Sequence, residues 1–505
     1  MELIAGMERA SAPADRAVLR WHAHMAATSF FVFLGAAAGL AIHDGVRPPT
    51  GLVVAVITCV TLWGAFIPRV SRLNLLPRMM IFVYALPFSA LLGYLFDPNY
   101  LWVFTLHGYA IGQDREVMSI LTLTGLAGIC GFVAGIHLVT AFSPTTTERV
   151  TAPDENEKHT LGLFTFGALT LLAIELSVLS SAPETLFQST YAGRVANSTA
   201  TNVNFAAAFL ISYVIFVLLW IDIEREGSRF AGRWKIAILA VAIAYVVVDL
   251  QVLRGDRESS GLIAALAALY LTSPTRGREP SRARVRRRVR RSLVPLALLV
   301  AVFIALGKGR ESLSDTSEQL SLEQMLVLGF TYNTWTAVLW TNLGTAWQYQ
   351  QGMLDYRLGS TYVDYALSLP PGVISKAYGY ERPEESWRGI AGDDPAGVSA
   401  GGLHAVIAPF KNFGGLGVVA ILFLYGVLVA SVERANRSYG LLARLLWGAT
   451  FCGSFLWFWY GDMTMIRALM AAVLLFILYR IAISPHYVFR RSAGRPLAAP
   501  PLVRV

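Results

Sequence analysis

Charge is what this chain has least of. Only 15% of its 505 residues are Asp, Glu, Lys or Arg, where a soluble domain carries roughly 25%. That scarcity excludes an ordinary water-soluble enzyme. Cysteine is scarce as well. Cys59, Cys130 and Cys452 lie inside apolar runs, with no pair spacing and no neighbouring histidine, which argues against a disulfide framework or a zinc site. In their place stand 55% hydrophobic and 12% aromatic residues, and a mean hydropathy of +0.52. Such richness excludes disorder. The class that remains is an all-α polytopic membrane protein with enough apolar sequence for about a dozen spans of roughly 20 residues each.

The formal charge of +9 does not indicate nucleic-acid binding. Nine arginines crowd between Arg276 and Arg291, flanked by apolar runs. In a membrane protein such a cluster marks a cytoplasmic loop. Twelve spans are expected, at 24–42, 51–67, 79–96, 117–139, 160–180, 203–222, 234–253, 258–273, 293–308, 413–432, 439–460 and 463–483. The eighth is the weakest and is compatible with a tilted or re-entrant segment. Ala36-Ala37-Ala38 would pass for a cleavage site, but the long polar segment before the first run favours a retained span.

Positive charge sets the expected orientation. With the N-terminus cytoplasmic, that side receives Arg9, Arg16, Arg20, Arg69, Arg72, Arg78, Arg225, Arg229, Arg233, Lys235, the arginine cluster and the basic tail. The short outer loops receive Arg47, Arg115, Arg194, Arg254 and Arg257. Both termini are therefore expected on the cytoplasmic side. The organisation that follows is helices one to nine over 1–308, with the arginine-rich loop at 274–292. An extracytoplasmic loop then occupies 309–412, helices ten to twelve lie within 413–483, and a basic tail covers 484–505.

The loop 309–412 is the one place where a sizeable extramembrane structure can form. Leu320–Tyr349 reads as helix, with Met325, Leu328, Phe330, Trp335, Leu339 and Trp340. An apolar stretch, Tyr362–Leu369, ends at Pro370-Pro371, and a polar segment, Glu381–Gly402, follows. The aromatics suit both interfacial anchoring and sugar stacking.

Candidate site residues gather at the outer face. Arg254-Gly255-Asp256-Arg257 forms a tight turn between the seventh and eighth spans. Guanidinium groups stay charged and bind phosphate oxygens bidentately. Two at this depth suit a pyrophosphate, though pairing with Asp256 and Glu258 is the plainer role. Arg310 and Glu311 stand where span nine exits, Tyr191 and Arg194 lie between spans five and six, and Arg357 lies in the long loop. Asp249 falls within the membrane, where an ionisable side chain is a functional hypothesis by default. His404, just before the segment that returns the chain to the membrane, has the pKa range of a general base. A structural interfacial histidine is the alternative. Gly414, Gly415 and Gly417 are expected to allow close helix packing. No Asp-x-Asp stands on an outer loop, and no metal or cofactor is expected.

These features together resemble the O-antigen polymerases of the Wzy type. The likeness rests on the many short spans, the long late outer loop, Arg254-Gly255-Asp256-Arg257, and the return segment Pro409-Phe410-Lys411-Asn412-Phe413-Gly414-Gly415-Leu416-Gly417. It also rests on Leu358-Gly359-Ser360-Thr361-Tyr362 followed by Leu369-Pro370-Pro371. It covers about 240–432. The resemblance implies a GT-C-like membrane glycosyltransferase that joins undecaprenyl-pyrophosphate-linked oligosaccharide repeat units into a surface polysaccharide. A chain-length regulator and a flippase would be its partners. It further implies that Arg254 and Arg257 hold the pyrophosphate, assisted by Arg310 or Arg194. His404 would then act as base or acceptor orienter, with Glu311 the alternative. Two other readings stay open. One is an O-antigen ligase, which would use the same donor. The other is a flippase or transporter, against which stand the single asymmetric loop and the absence of similarity between the halves.

Overall fold

The computed structural model describes residues 13–66, 74–88, 91, 114–143, 214–221, 231–244, 260–272, most of 283–290, 334–363, 404–438, 440–460 and 465–478. Among these, every regular element is a helix. Those of ten residues or more are α1 (Pro13–His43), α2 (Thr50–Phe66), α3 (Leu75–Ala85), α4 (Arg115–Ala141), α5 (Ala231–Ala244), α6 (Ser260–Thr272), α7 (Thr334–Gln350), α8 (Ile407–Ala435), α9 (Leu441–Tyr460) and α10 (Met465–Leu478).

Three of these are long and apolar enough to cross a membrane: Ala17–His43 within α1, Arg115–Ala141 and Ile407–Ala435. The shorter α2, α3, α5, α6 and α10 are also apolar. Ten of the twelve apolar runs carry helix in the described residues. The runs 160–180 and 293–308 lie outside them.

α4 is the axis of the bundle, packed by α1, α2, α3, α7 and α8. Its start is cut by Asp114, whose carboxylate accepts from the backbone N–H groups of Glu116 and Val117. Such an N-cap satisfies donors that the first turn leaves without partners. Small residues then let neighbouring backbones approach. A Cβ at Gly131 would run into the Val419 carbonyl, and one at Gly135 into the Phe423 carbonyl. Across the same seam, a Cβ at Gly426 would meet the Phe132 carbonyl. α1 joins this contact, because a Cβ on Gly39 would stand 2.8 Å from the carbonyl carbon of Gly415. Without a hydrophobic drive between helices in lipid, such small-residue packing supplies much of the association.

The helices alternate in direction. Gly64 near the end of α2 meets Val133 near the end of α4, so those two run together. Tyr84 late in α3 donates its hydroxyl to the Gly125 carbonyl, 2.8 Å away, so α3 runs the other way. Each end of the bundle therefore has its own residue set. At the His24 end, the Trp63 indole N–H donates to His137 Nε2 at 3.3 Å. His137 Nδ1 must then carry the proton, which it gives to His24 Nδ1 at 2.9 Å. Nearby Glu433, 3% exposed, accepts from Trp447 Nε1 at 2.7 Å and from the Leu76 N–H at 3.2 Å. Arg444 is buried in the first turn of α9, against Thr272 Oγ1 and Asn436 Oδ1. The opposite end, at His43, carries the start of α4, the end of α7 and the start of α8.

Candidate functional site

At the His43 end, α8 is not one straight rod. Gly414 sits at φ 70°, ψ −165° inside it and interrupts the helix. The left-handed side of backbone space is where glycine has no steric penalty. Contacts along α4 show what the interruption does. Val406 lies against Gly128, and Val419 lies against Gly131. An unbroken helix would separate Val406 from Val419 by about 20 Å, whereas Gly128 and Gly131 are about 4.5 Å apart along α4. The arm 407–413 therefore folds back beside the bundle, and the chain reverses at Gly414.

Reversal leaves helix carbonyls without their usual partners, and the segment after α7 supplies new ones. The Arg357 N–H donates to the Lys411 carbonyl at 3.0 Å, and the Leu358 N–H to the Asn412 carbonyl at 3.1 Å. Asn412, fully buried, completes the clamp. Its Oδ1 accepts from the Gly359 N–H at 2.9 Å, and its Nδ2 donates to the Ala408 carbonyl at 2.7 Å and to Thr361 Oγ1. Leu358 adopts φ 47° and Gly359 φ 91°, the two left-handed residues that curve the segment onto the arm. A left-handed leucine is uncommon, and its backbone bond to Asn412 helps hold it there. The ring of Tyr362 stacks on Phe413, centroids 6.2 Å apart. Gly417 leaves room for the Phe413 side chain, and Tyr356 covers Gly414. Burial and the neighbouring Tyr349 push the Tyr356 phenol up to about 12, so it stays neutral at working pH.

Next to this clamp, Arg47 reaches the α4 start, with Nη2 2.8 Å from Glu116 Oε1. Gln350 at the end of α7 donates to Asp114 Oδ2 at 3.2 Å and to Glu116 Oε2 at 3.3 Å. The connection between α1 and α2, the start of α4 and the end of α7 are thus tied at one level.

The structure places two of the expected site residues. Arg357 is half-buried in the clamp, with its backbone bonded to the return arm. His404 is 0% exposed. Its Nε2 lies 3.1 Å from the Tyr84 carbonyl, and its Nδ1 accepts from the Val406 N–H at 3.4 Å. The rings of Tyr84 and Phe88 meet it edge-on, at 4.9 and 5.2 Å. With both nitrogens engaged, the imidazole is neutral and anchors the arm to α3. That burial fits the structural alternative, a histidine that positions the arm, better than a general base. Arg254, Arg257, Arg310, Arg194, Glu311, Tyr191 and Asp249 lie outside the described residues. Of the three glycines expected to pack closely, Gly415 does so against Gly39, while Gly414 makes the turn.

Sequence reasoning missed Asn412, which holds the clamp together, and Asn342 in α7. Asn342 stands among Leu339, Leu343 and Ala346, at helical spacing on a buried face. That spacing was the available signal. The three cysteines are free thiols.

No family model matches this chain, and neither does any curated protein or solved structure.

Proposed function

We propose that the protein polymerises undecaprenyl-pyrophosphate-linked oligosaccharide repeat units into a surface polysaccharide. It would do so at the outer face of the bacterial inner membrane, as a twelve-span, GT-C-like glycosyltransferase with its His43 end outward. One observation carries the reading. The two segments by which the loop and the return to the membrane resemble Wzy-type polymerases, 358–362 and 409–417, are far apart in sequence. In the fold they lock into one hydrogen-bonded unit at a single end of the bundle. Ten helical runs in the expected places support the span arrangement.

The chemistry follows from the leaving group. Breaking the bond between sugar and pyrophosphate releases concentrated negative charge at the membrane surface. Prepositioned guanidinium groups stabilise that charge as it develops. Arg254 and Arg257 are assigned to it, with Arg310 or Arg194 assisting, and Arg357 lies on the clamp beside the glycan path. Glu311 is the base candidate for the acceptor hydroxyl, a role worth about 10²–10⁴-fold.

Deleting the gene tests the reading. Loss of long surface glycan, with single repeat units left on the lipid carrier or capped on the core, is the expected result. Long polymer stranded on the carrier would instead identify a ligase, and unchanged glycan would overturn both. In complementation, Arg254→Ala and Arg257→Ala should each lower polymer roughly a hundredfold or more, with the protein at its normal level in the membrane. Normal polymer from both would sink the pyrophosphate assignment.

A further inference from the structure

We propose that Asn342 is the recognition group of a buried hydroxyl-binding subsite, which takes one neutral hydroxyl of the glycan. The choice of a glycan as its source rests on the polymerase reading above. The cavity lies where three parts of the chain meet. α4 contributes Thr124, α7 contributes Asn342, and the return arm contributes Val406 and Phe410. Asn342 is 3% exposed. Neither its Nδ2 nor its Oδ1 has a hydrogen-bond partner among the described residues. A buried amide left in that state is costly, and native proteins seldom keep one.

Size and lining select the ligand. The free space is about 10 Å³, at the lower edge of what one water needs. A whole sugar ring does not fit, but a single polar group at its edge does. No charged side chain lines the cavity, so a phosphate or carboxylate would enter unpaired, at a steep desolvation cost. A hydroxyl matches what is present. Its oxygen accepts from Asn342 Nδ2, and its proton goes to Asn342 Oδ1 or to Thr124 Oγ1. The Thr124 hydroxyl spends its own proton on the Ile120 carbonyl at 2.7 Å and so can only accept. The subsite also adjoins the His404 anchor, because Val406 both lines the cavity and donates to His404 Nδ1. Filling the cavity therefore reports on the position of the return arm.

Water is the other source of a hydroxyl, and the experiment separates the two. Full-length protein in detergent is unfolded thermally as wild type, Asn342→Leu and Asn342→Ala. Each is measured with and without millimolar free glucose or N-acetylglucosamine as the probe. The expected result has three parts. At least one sugar raises the wild-type Tm, neither sugar shifts Asn342→Leu, and Asn342→Leu without sugar unfolds no lower than wild type because an orphan amide has been removed. In cells, Asn342→Leu then lowers polymer while the protein level holds. A wild-type Tm that neither sugar moves, or the same shift in Asn342→Leu, overturns the proposal. So does an Asn342→Leu protein that loses as much stability as Asn342→Ala, since the amide would then be holding a structural water. Glycan unchanged by gene deletion would count against the polymerase reading alone, because the sugar shift is read on the purified protein.

Discussion

α1 and α4 offer a controlled comparison. The apolar segments Ala17–His43 and Arg115–Ala141 are 27 residues each, and each has a hydropathy of 2.0. Yet 33% of the first segment's apolar window is buried, against 100% of the second's. Hydropathy measures fitness for lipid and says nothing of which helix keeps touching it. The difference lies in position: α4 is packed by α1, α2, α3, α7 and α8, whereas α1 packs chiefly on α4 and α8. α4 carries Gly125, Gly128, Gly131 and Gly135, and each brings a neighbour close: Phe88, Tyr84, Val419 and Phe423 in turn. α1 turns Phe30, Phe33 and Leu40 outward, exposed by 58%, 74% and 47%, and reserves Gly35 and Gly39 for its inner face. Glycines that face a neighbouring helix let the two backbones approach closely, whereas α1 also leaves small residues such as Ala23, Ala26 and Ala37 exposed.

Three substitutions press on that contrast. The largest effect is expected at Gly135→Val. There the new side chain meets the backbone of Phe423 and Val427, and backbone does not yield as a side-chain tip would. Overpacking of this kind costs about 3 kcal/mol or more, to be read as loss of folded protein in the membrane and a lowered Tm. A normal Tm would mean that α4 and α8 are not in contact there. Next is Asn412→Ala, which strips the clamp of the three side-chain bonds to Gly359, Ala408 and Thr361. The expected cost is about 2 kcal/mol, taking roughly 1 kcal/mol per bond with part recovered by water. Its sign would be faster protease cleavage within 351–363 and less polymer, while the bundle itself stays folded. The smallest effect belongs to Phe33→Ala, on the outward face of α1. Already mostly exposed, it should change stability by less than about 0.5 kcal/mol. A large loss there would show that α1 is covered by another chain instead of lipid.

Much of the helical layout was legible from the sequence, because apolar runs of span length have few other uses. The site was only partly legible. Gly414, Gly415 and Gly417 stood out together, but their division of labour depends on which neighbour each faces. Gly415 meets Gly39, Gly414 turns the chain, and Gly417 accommodates Phe413. His404 precedes a span and so reads as surface. The reversal at Gly414 carries it down beside Tyr84 and Phe88 instead, and no local pattern announces a reversal ten residues ahead. Asn342 lay in plain view on a helical stripe, but a lone amide has no spacing signature. Its meaning comes from two other elements that close around it.

The contact between Gly39 and Gly415 has a consequence for biosynthesis. Its two halves leave the ribosome far apart in time, roughly 20–75 s at about 5–20 residues per second. During that interval α1 is already in the bilayer with its inner glycine face open, and α4 arrives with a seam that α8 does not yet fill. The nascent protein must therefore hold two incomplete helix surfaces against lipid, or against a helper that shields them, until the last fifth of the chain closes the bundle.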